Sequence, residues 1–138
     1  MCGGEGINYD IMNENSVNAV CLQLMSTAND ILGKAKKNHG LYYDTNKVQK
    51  ACKLAYQAVL LALDEYLKRI QPDKPTPKNF EEYKKRISEH NNTILIHFLF
   101  VHDALMVAGV IHGTQSVKTV EAGMGEAFRI IDFLKNIH

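Results

Sequence analysis

The sequence predicts an all-α protein, folded as an antiparallel bundle of four to five helices with short loops. Apolar residues recur at the three- and four-residue spacing of helices over residues 16–37, 45–70 and 117–136. A nearly continuous apolar run, Ile94–Val110, supplies a central helix. No useful stretch alternates apolar and polar residues as strands do, so no sheet is predicted. A chain of 138 residues is expected to form one domain, here residues 13–138 behind a loose arm at 1–12.

Local signals bound the first two helices. The first helix is predicted over residues 16–37, and the turn-forming residues at 38–40 end it. Asp44 or Thr45 can cap the second helix. All three prolines follow within residues 71–78, so this stretch is predicted to be an extended linker.

Capping residues also mark the second half of the chain. Asn79, followed three residues later by Glu82, forms a capping box for the third helix. Residues 91–93 have low helix propensity, so residues 79–112 form either two helices or one kinked helix. Ser116 can cap the last helix.

The central run is apolar on every face when it is wound as an α-helix. Such a helix is either buried by neighbours on all sides or placed in a membrane. A membrane span needs roughly 20 apolar residues with few charges, whereas this run is shorter and contains Asp103. We therefore predict a core helix and no membrane association.

Asp103 is the most unusual residue of the chain, because a carboxylate on an apolar helix must be paired, hydrogen-bonded or protonated. One hypothesis makes Asp103 and His102 ligand-binding residues in an interhelical pocket closed by Tyr56. The simpler interpretation is a structural carboxylate bonded to a neighbouring helix. By contrast, Asp64 stands four residues before Lys68 and is predicted to be part of a solvated ion pair.

The composition excludes several classes of protein. The three cysteines have no C-x-x-C spacing, which disfavours a disulfide framework or zinc module and favours the reducing cytoplasm. The N-terminal residues do not resemble a secretory signal. His97 and His102 are five residues apart and cannot chelate a metal from one helix face, and no E-x-x-H motif for a di-metal bundle occurs. We therefore expect no metal site and no cofactor.

Lysines cluster around the junction of the first two helices, with Tyr42 and Tyr43 between them. They are Lys34, Lys36, Lys37, Lys47, Lys50 and Lys53. Basic residues interleaved with aromatic ones can bind single-stranded nucleic acid. The simpler interpretation is a solvated helix end, and with a net charge of only +1 nucleic acid is not the expected partner.

Three blocks of the sequence carry a family resemblance. They are ACKLAYQAVLLALDEYL from the second helix, NFEEYKKRISEHN from the third, and VAGVIHGTQSVKTVEAGMGEAFRIIDFL near the end. Together they resemble a family of small bacterial proteins of unknown function whose fold is similar to the HEPN helical bundles. HEPN-like proteins include ribonucleases, in which an arginine and a histidine are separated by four to six residues. Here Arg86 and His90 have only three residues between them, so they are weak catalytic candidates.

The sequence contains no complete catalytic set. We therefore expect a non-enzymatic bundle that associates with itself or with a partner protein. Met12, Met25 and Phe133 are candidate contact residues if they point outward. The alternatives are a HEPN-type ribonuclease using Arg86 and His90, and a small-ligand binder.

Overall fold

A computed structural model describes residues 14–137, with side chains from residue 16 onward. The predicted arm, residues 1–12, lies outside the described residues. The described part is a helical bundle with one short hairpin. Its elements are α1 (Glu14–Gly33), β1 (Lys37–Asn38), β2 (Leu41–Tyr42), α2 (Thr45–Ile70), α3 (Phe80–Ser88), the central helix (Asn92–Ile111) and α4 (Val117–Asn136).

The predictions that the first helix reaches residue 37 and that no sheet forms are wrong. α1 ends at Gly33, and residues 37–42 form an antiparallel hairpin in which Lys37 pairs with Tyr42. His39 and Gly40 have φ values of 54° and 78°. Positive φ at both central residues is the signature of a two-residue hairpin turn. The residues that were predicted to stop a helix therefore reverse the chain.

The predicted caps of the later helices form as hydrogen bonds. The Asn79 side chain accepts from the Glu82 amide at 2.9 Å, and Ser116 accepts from the Thr119 amide at 3.2 Å. Asn91 accepts from the Ile94 amide at 3.0 Å, which makes α3 and the central helix two separate helices. Asp44 does not cap α2 with its side chain.

The central helix runs antiparallel to both α2 and α4. Its first half, Asn92–Val101, is α-helical, and its second half, His102–Ile111, is wound as a wider π-helix. Glycines allow two close contacts. A Cβ atom at Gly109 would lie 2.6 Å from the Cys52 sulfur on α2, and one at Gly123 of α4 would lie 2.7 Å from Leu105.

Arg69 joins the end of α2 to the end of α4. Its guanidinium donates to the carbonyl oxygens of Leu134 and Ile137 at 3.3 and 3.0 Å. These carbonyls belong to the last turn of a helix, where intrahelical donors run out. The contact therefore links the C-terminal ends of α2 and α4.

Candidate functional site

The central helix has two sides of opposite character. The inward side is fully buried and carries Ile94, Phe98, Val101 and Leu105. The outward side carries large apolar residues in solvent: Ile96 is 66% exposed, Phe100 47% and Ile111 63%. The prediction that this helix is buried on every side is therefore wrong.

We call this outward side the outward stripe and define it by five residues three or four positions apart. They are Ile96, Phe100, Asp103, Val107 and Ile111. Asp103 is exposed to solvent and Val107 is half-buried. The expectation of a buried, paired Asp103 is thus also wrong, because the carboxylate lies on the solvent side of the helix.

By length and composition alone, Asn92–Ile111 could cross a membrane, with a mean hydropathy of 2.1 and 33% of its most apolar window buried. Core helices of soluble proteins pass the same test. The exposed carboxylate of Asp103 would be costly at mid-bilayer. One such helix is therefore weak support for a membrane span.

Two grooves lie along the seam between the central helix and α4. The upper groove has a volume of about 460 Å³, and Phe100, Asp103 and Lys118 are among the residues that line it. The lower groove has a volume of about 550 Å³ and is lined in part by His97 and Phe133. The upper groove thus borders the outward stripe, and both grooves bring polar groups to an apolar surface.

A charged cluster borders the lower groove. Glu126 accepts from Arg129 at 2.6 Å and lies 2.5 Å from Nδ1 of His97. Desolvation tends to raise the pKa of the Glu126 carboxyl, but hydrogen bonds from His97 and Arg129 outweigh it and lower the pKa. Glu126 is therefore ionised at neutral pH and ties the central helix to α4.

Two of the three predicted ligand-binding residues meet on the inward side. The Tyr56 hydroxyl is 3.0 Å from Nδ1 of His102, and the Phe80 ring stacks on the His102 ring with centroids 3.7 Å apart. Burial raises the pKa of Tyr56 to about 12, and it lowers the pKa of His102 although the charges of Asp103 and Glu81 oppose it. Both groups are therefore neutral at pH 7, and the hydroxyl can donate to an unprotonated Nδ1.

Asp103 does not join this pair, because it faces the upper groove, away from Tyr56. His102 and Asp103 are neighbours along the helix, so their side chains leave it in different directions. The predicted three-residue pocket is thus divided. The Tyr56–His102 hydrogen bond remains, with the rings of Phe80 and Phe98 packed beside it.

Asp64 is also a partly buried carboxylate, although its spacing to Lys68 predicted a solvated ion pair. The Tyr83 hydroxyl donates to its Oδ1 at 2.6 Å. Burial raises the pKa of Asp64, against the opposing effects of the Tyr83 hydrogen bond and the Arg86 charge. Tyr83 is buried, and a buried tyrosine needs a partner for its hydroxyl, which Asp64 supplies.

Arg86 holds the proline-containing linker. Its Nε donates to Oε1 of Gln71 at 3.0 Å, and its guanidinium also donates to the carbonyl oxygen of Pro75. His90 is exposed beyond the end of α3. These hydrogen bonds attach Arg86 to the linker.

Residues 14–137 contain no group of three or more metal-ligating side chains close enough to hold an ion. The thiols of Cys21 and Cys52 are free and buried, and burial raises the pKa of each to about 11. Thiols with such a high pKa are poor nucleophiles at neutral pH.

The described residues form a small helical bundle with an apolar outer stripe. The chain belongs to the family described as domain of unknown function (DUF5618), whose model matches residues 18–136. A solved structure, described as a protein of unknown function from Dyadobacter fermentans, is similar to it with a TM-score of 0.79 and 27% identity. That similarity covers 89% of this chain and 96% of the other. No curated protein matches the chain.

Proposed function

We propose that this chain is a non-enzymatic bundle protein that acts by associating with a second copy of itself through the outward stripe. The observation that carries the proposal is the exposure of Ile96, Phe100 and Ile111 along one helix. Contiguous exposed apolar side chains mark interaction surfaces far more often than isolated ones do. Burying them against an identical stripe would remove this surface from water.

A second copy suits the stripe because a twofold pair can bring the one carboxylate of the stripe, Asp103, to a polar side chain of the other copy. In a twofold pair, the same patch contacts itself, so residue i meets j and j meets i. If the axis passes near Phe100, the two rings meet and Asp103 of one copy approaches His97 of the other. The His97 side chain is 42% exposed, and because its Nδ1 contacts Glu126, Nε2 is the ring nitrogen that would meet Asp103.

A stable interface buries roughly 800 Å² on each partner, which is more than the stripe alone provides. The neighbouring grooves extend the surface, and Phe133 at the lower groove is 41% exposed. Phe133 is therefore exposed, as a contact residue of an interface must be. Met25 is buried and does not, and Met12 lies outside the described residues.

The proposal is tested by introducing a charge at Phe100. Phe100→Asp would place two carboxylates at the twofold axis, so we expect the variant to be monomeric while the wild type is dimeric. The measurement is native mass spectrometry combined with sedimentation equilibrium over a range of protein concentrations. A wild type that stays monomeric at every concentration contradicts the proposal.

Phe128→Asp is the matched control. Phe128 is 50% exposed, close to the value for Phe100, but it lies on α4 outside both grooves. We expect this variant to dimerise like the wild type. Equal loss of the dimer in both variants would point to a general effect of added charge and would count against the stripe.

At the family level, we propose a HEPN-like, bacterial and cytoplasmic protein. The capped helices, the two buried free thiols and the likeness to the Dyadobacter fermentans structure support this assignment. The ribonuclease alternative is weakened by the bonds of Arg86 to the linker. If Arg86→Ala abolished RNA cleavage by the folded protein, the ribonuclease would replace the non-enzymatic proposal.

A further inference from the structure

The hairpin between α1 and α2 has an inward and an outward face. Directly opposed residues of an antiparallel pair share a face. Lys37 and Tyr42 form one such pair, and it points inward, since Tyr42 is buried and Lys37 reaches Glu121 of α4 at 3.8 Å. The neighbouring residues must therefore point outward.

The outward face presents an aromatic ring beside a lysine. Leu41 is 45% exposed and Tyr43 is 60% exposed. The Tyr43 amide donates to the Lys36 carbonyl at 2.8 Å, so these two residues stand opposite each other. We call Lys36, Leu41 and Tyr43 the basic hairpin face. Lys50 and Lys53 are exposed on α2, which begins at Thr45, two residues after Tyr43.

Charge is concentrated in this part of the chain. Residues 34–53 contain six lysines and one acidic residue, a net charge of +5, whereas the whole chain carries +1. The rest of the chain therefore carries −4. Lys37 and Lys47 have carboxylate partners, Glu121 and Asp44.

The remaining lysines of this stretch are exposed and have no ion-pair partner among the residues that the structure describes. They are Lys34, Lys36, Lys50 and Lys53. This surface can attract an anionic partner, whereas the rest of the molecule would repel one.

We propose that the basic hairpin face binds single-stranded nucleic acid. Tyr43 stacks on an unpaired base, and Lys36, Lys50 and Lys53 neutralise phosphates along the strand. A duplex hides its base faces, so the exposed ring selects for single strands. The sequence alone favoured solvated lysines. The arrangement of an exposed ring opposite a lysine on one face supports binding instead.

The test is fluorescence anisotropy with a labelled single-stranded oligouridylate of about 16 nucleotides, a length typical of single-strand sites. Tyr43→Ala should weaken binding by about tenfold, whereas Tyr43→Phe should bind like the wild type because it keeps the ring. Tyr43 is exposed, so neither change should alter the fold, and circular dichroism checks this. Three neutralised phosphates predict a slope of about −2 for log K against log salt.

A charge-matched pair of triple variants isolates the lysines. Replacing Lys36, Lys50 and Lys53 with Gln should weaken binding at least about tenfold and flatten the salt dependence. The control replaces the exposed Lys68, Lys84 and Lys135 with Gln and should bind like the wild type. Phe100→Asp should also bind normally, since the outward stripe is a separate surface.

Several results would overturn the proposal. One is the absence of saturable binding at moderate salt, and another is unchanged binding by Tyr43→Ala. Equal weakening by both triple variants would show attraction by overall charge only. Equal binding of an acidic polypeptide or of duplex RNA would show that the ring takes no part in recognition.

Discussion

The side chains on the two sides of the central helix lie in opposite environments, one buried and one exposed to solvent. On the inward side, the ring of His102 is hydrogen-bonded by Tyr56 and stacked on Phe80, and Phe98 packs beside them. On the outward side, Ile96 and Phe100 lie in solvent. The inward polar groups are satisfied within the fold, whereas the outward apolar groups are not covered by any of residues 14–137. The inward side therefore stabilises the fold, and the outward side is the surface on which the proposed association rests.

The largest expected difference is between two phenylalanines that are two residues apart. Phe98 is fully buried, so Phe98→Ala should destabilise the fold by about 3–5 kcal/mol. Phe100→Ala, at a half-exposed site, should change the free energy of unfolding by less than about 0.5 kcal/mol in the monomer. Urea unfolding at low protein concentration measures both.

The same pair of variants also probes association. A cost at Phe100 that grows with protein concentration would show that the ring is buried in an oligomer. If Phe98→Ala and Phe100→Ala lowered the free energy of unfolding equally at low protein concentration, the inward and outward sides would not differ in burial.

A smaller difference is expected between the polar residues of the two sides. Tyr56→Phe removes the hydrogen bond to His102 and should cost about 1 kcal/mol. Asp103→Asn, at an exposed position, should cost less than about 0.5 kcal/mol. Thermal and urea unfolding of the two variants would rank them. The comparison fails if Asp103→Asn is the more damaging change.

The smallest effect is a dependence of stability on pH that comes from His102. Burial lowers its pKa in the folded chain below the ordinary value of 6.5. As the pH falls, the unfolded chain takes up this proton first. The contribution of His102 is therefore fully present above about pH 6.5 and is lost as the pH falls toward the lower, folded-state pKa.

His102→Gln should flatten the decline in the free energy of unfolding between roughly pH 7.5 and 5.5. The exposed His90, changed to Gln, is the control and should leave the slope as in the wild type. Asp64 changes the free energy of unfolding in the opposite direction. Because burial raises its pKa above the ordinary value of 3.8, its contribution falls as the pH rises. The effects of His102 and Asp64 on stability therefore differ in sign, and the sign tells them apart. An unchanged slope in His102→Gln would contradict the assignment.

Part of the candidate site could be predicted and part could not. The tyrosine and histidine of the predicted pocket do meet, because both belong to helices whose apolar faces pack together. Asp103 was misassigned, although its charge marked the side of the apolar helix that faces water. Asp64 was misassigned for the opposite reason, since its spacing to Lys68 suits a surface pair and its actual partner, Tyr83, is distant in sequence.

The sequence by itself determined where most of the helices begin and end. Asn79 and Ser116 act through hydrogen bonds to amides only three residues away, so these signals are local and can be read along the chain. Asn91 caps the central helix in the same way, although the sequence left open whether residues 79–112 form one helix or two. Only the tertiary structure decided which side of the central helix is exposed. A helix that is apolar all round has no preferred direction of its own, and the direction is set by where α2 and α4 pack against it. The hairpin was decided in the same way, since strands of two residues are too short to show a pattern and are held by their contacts with each other and with the loop before α4.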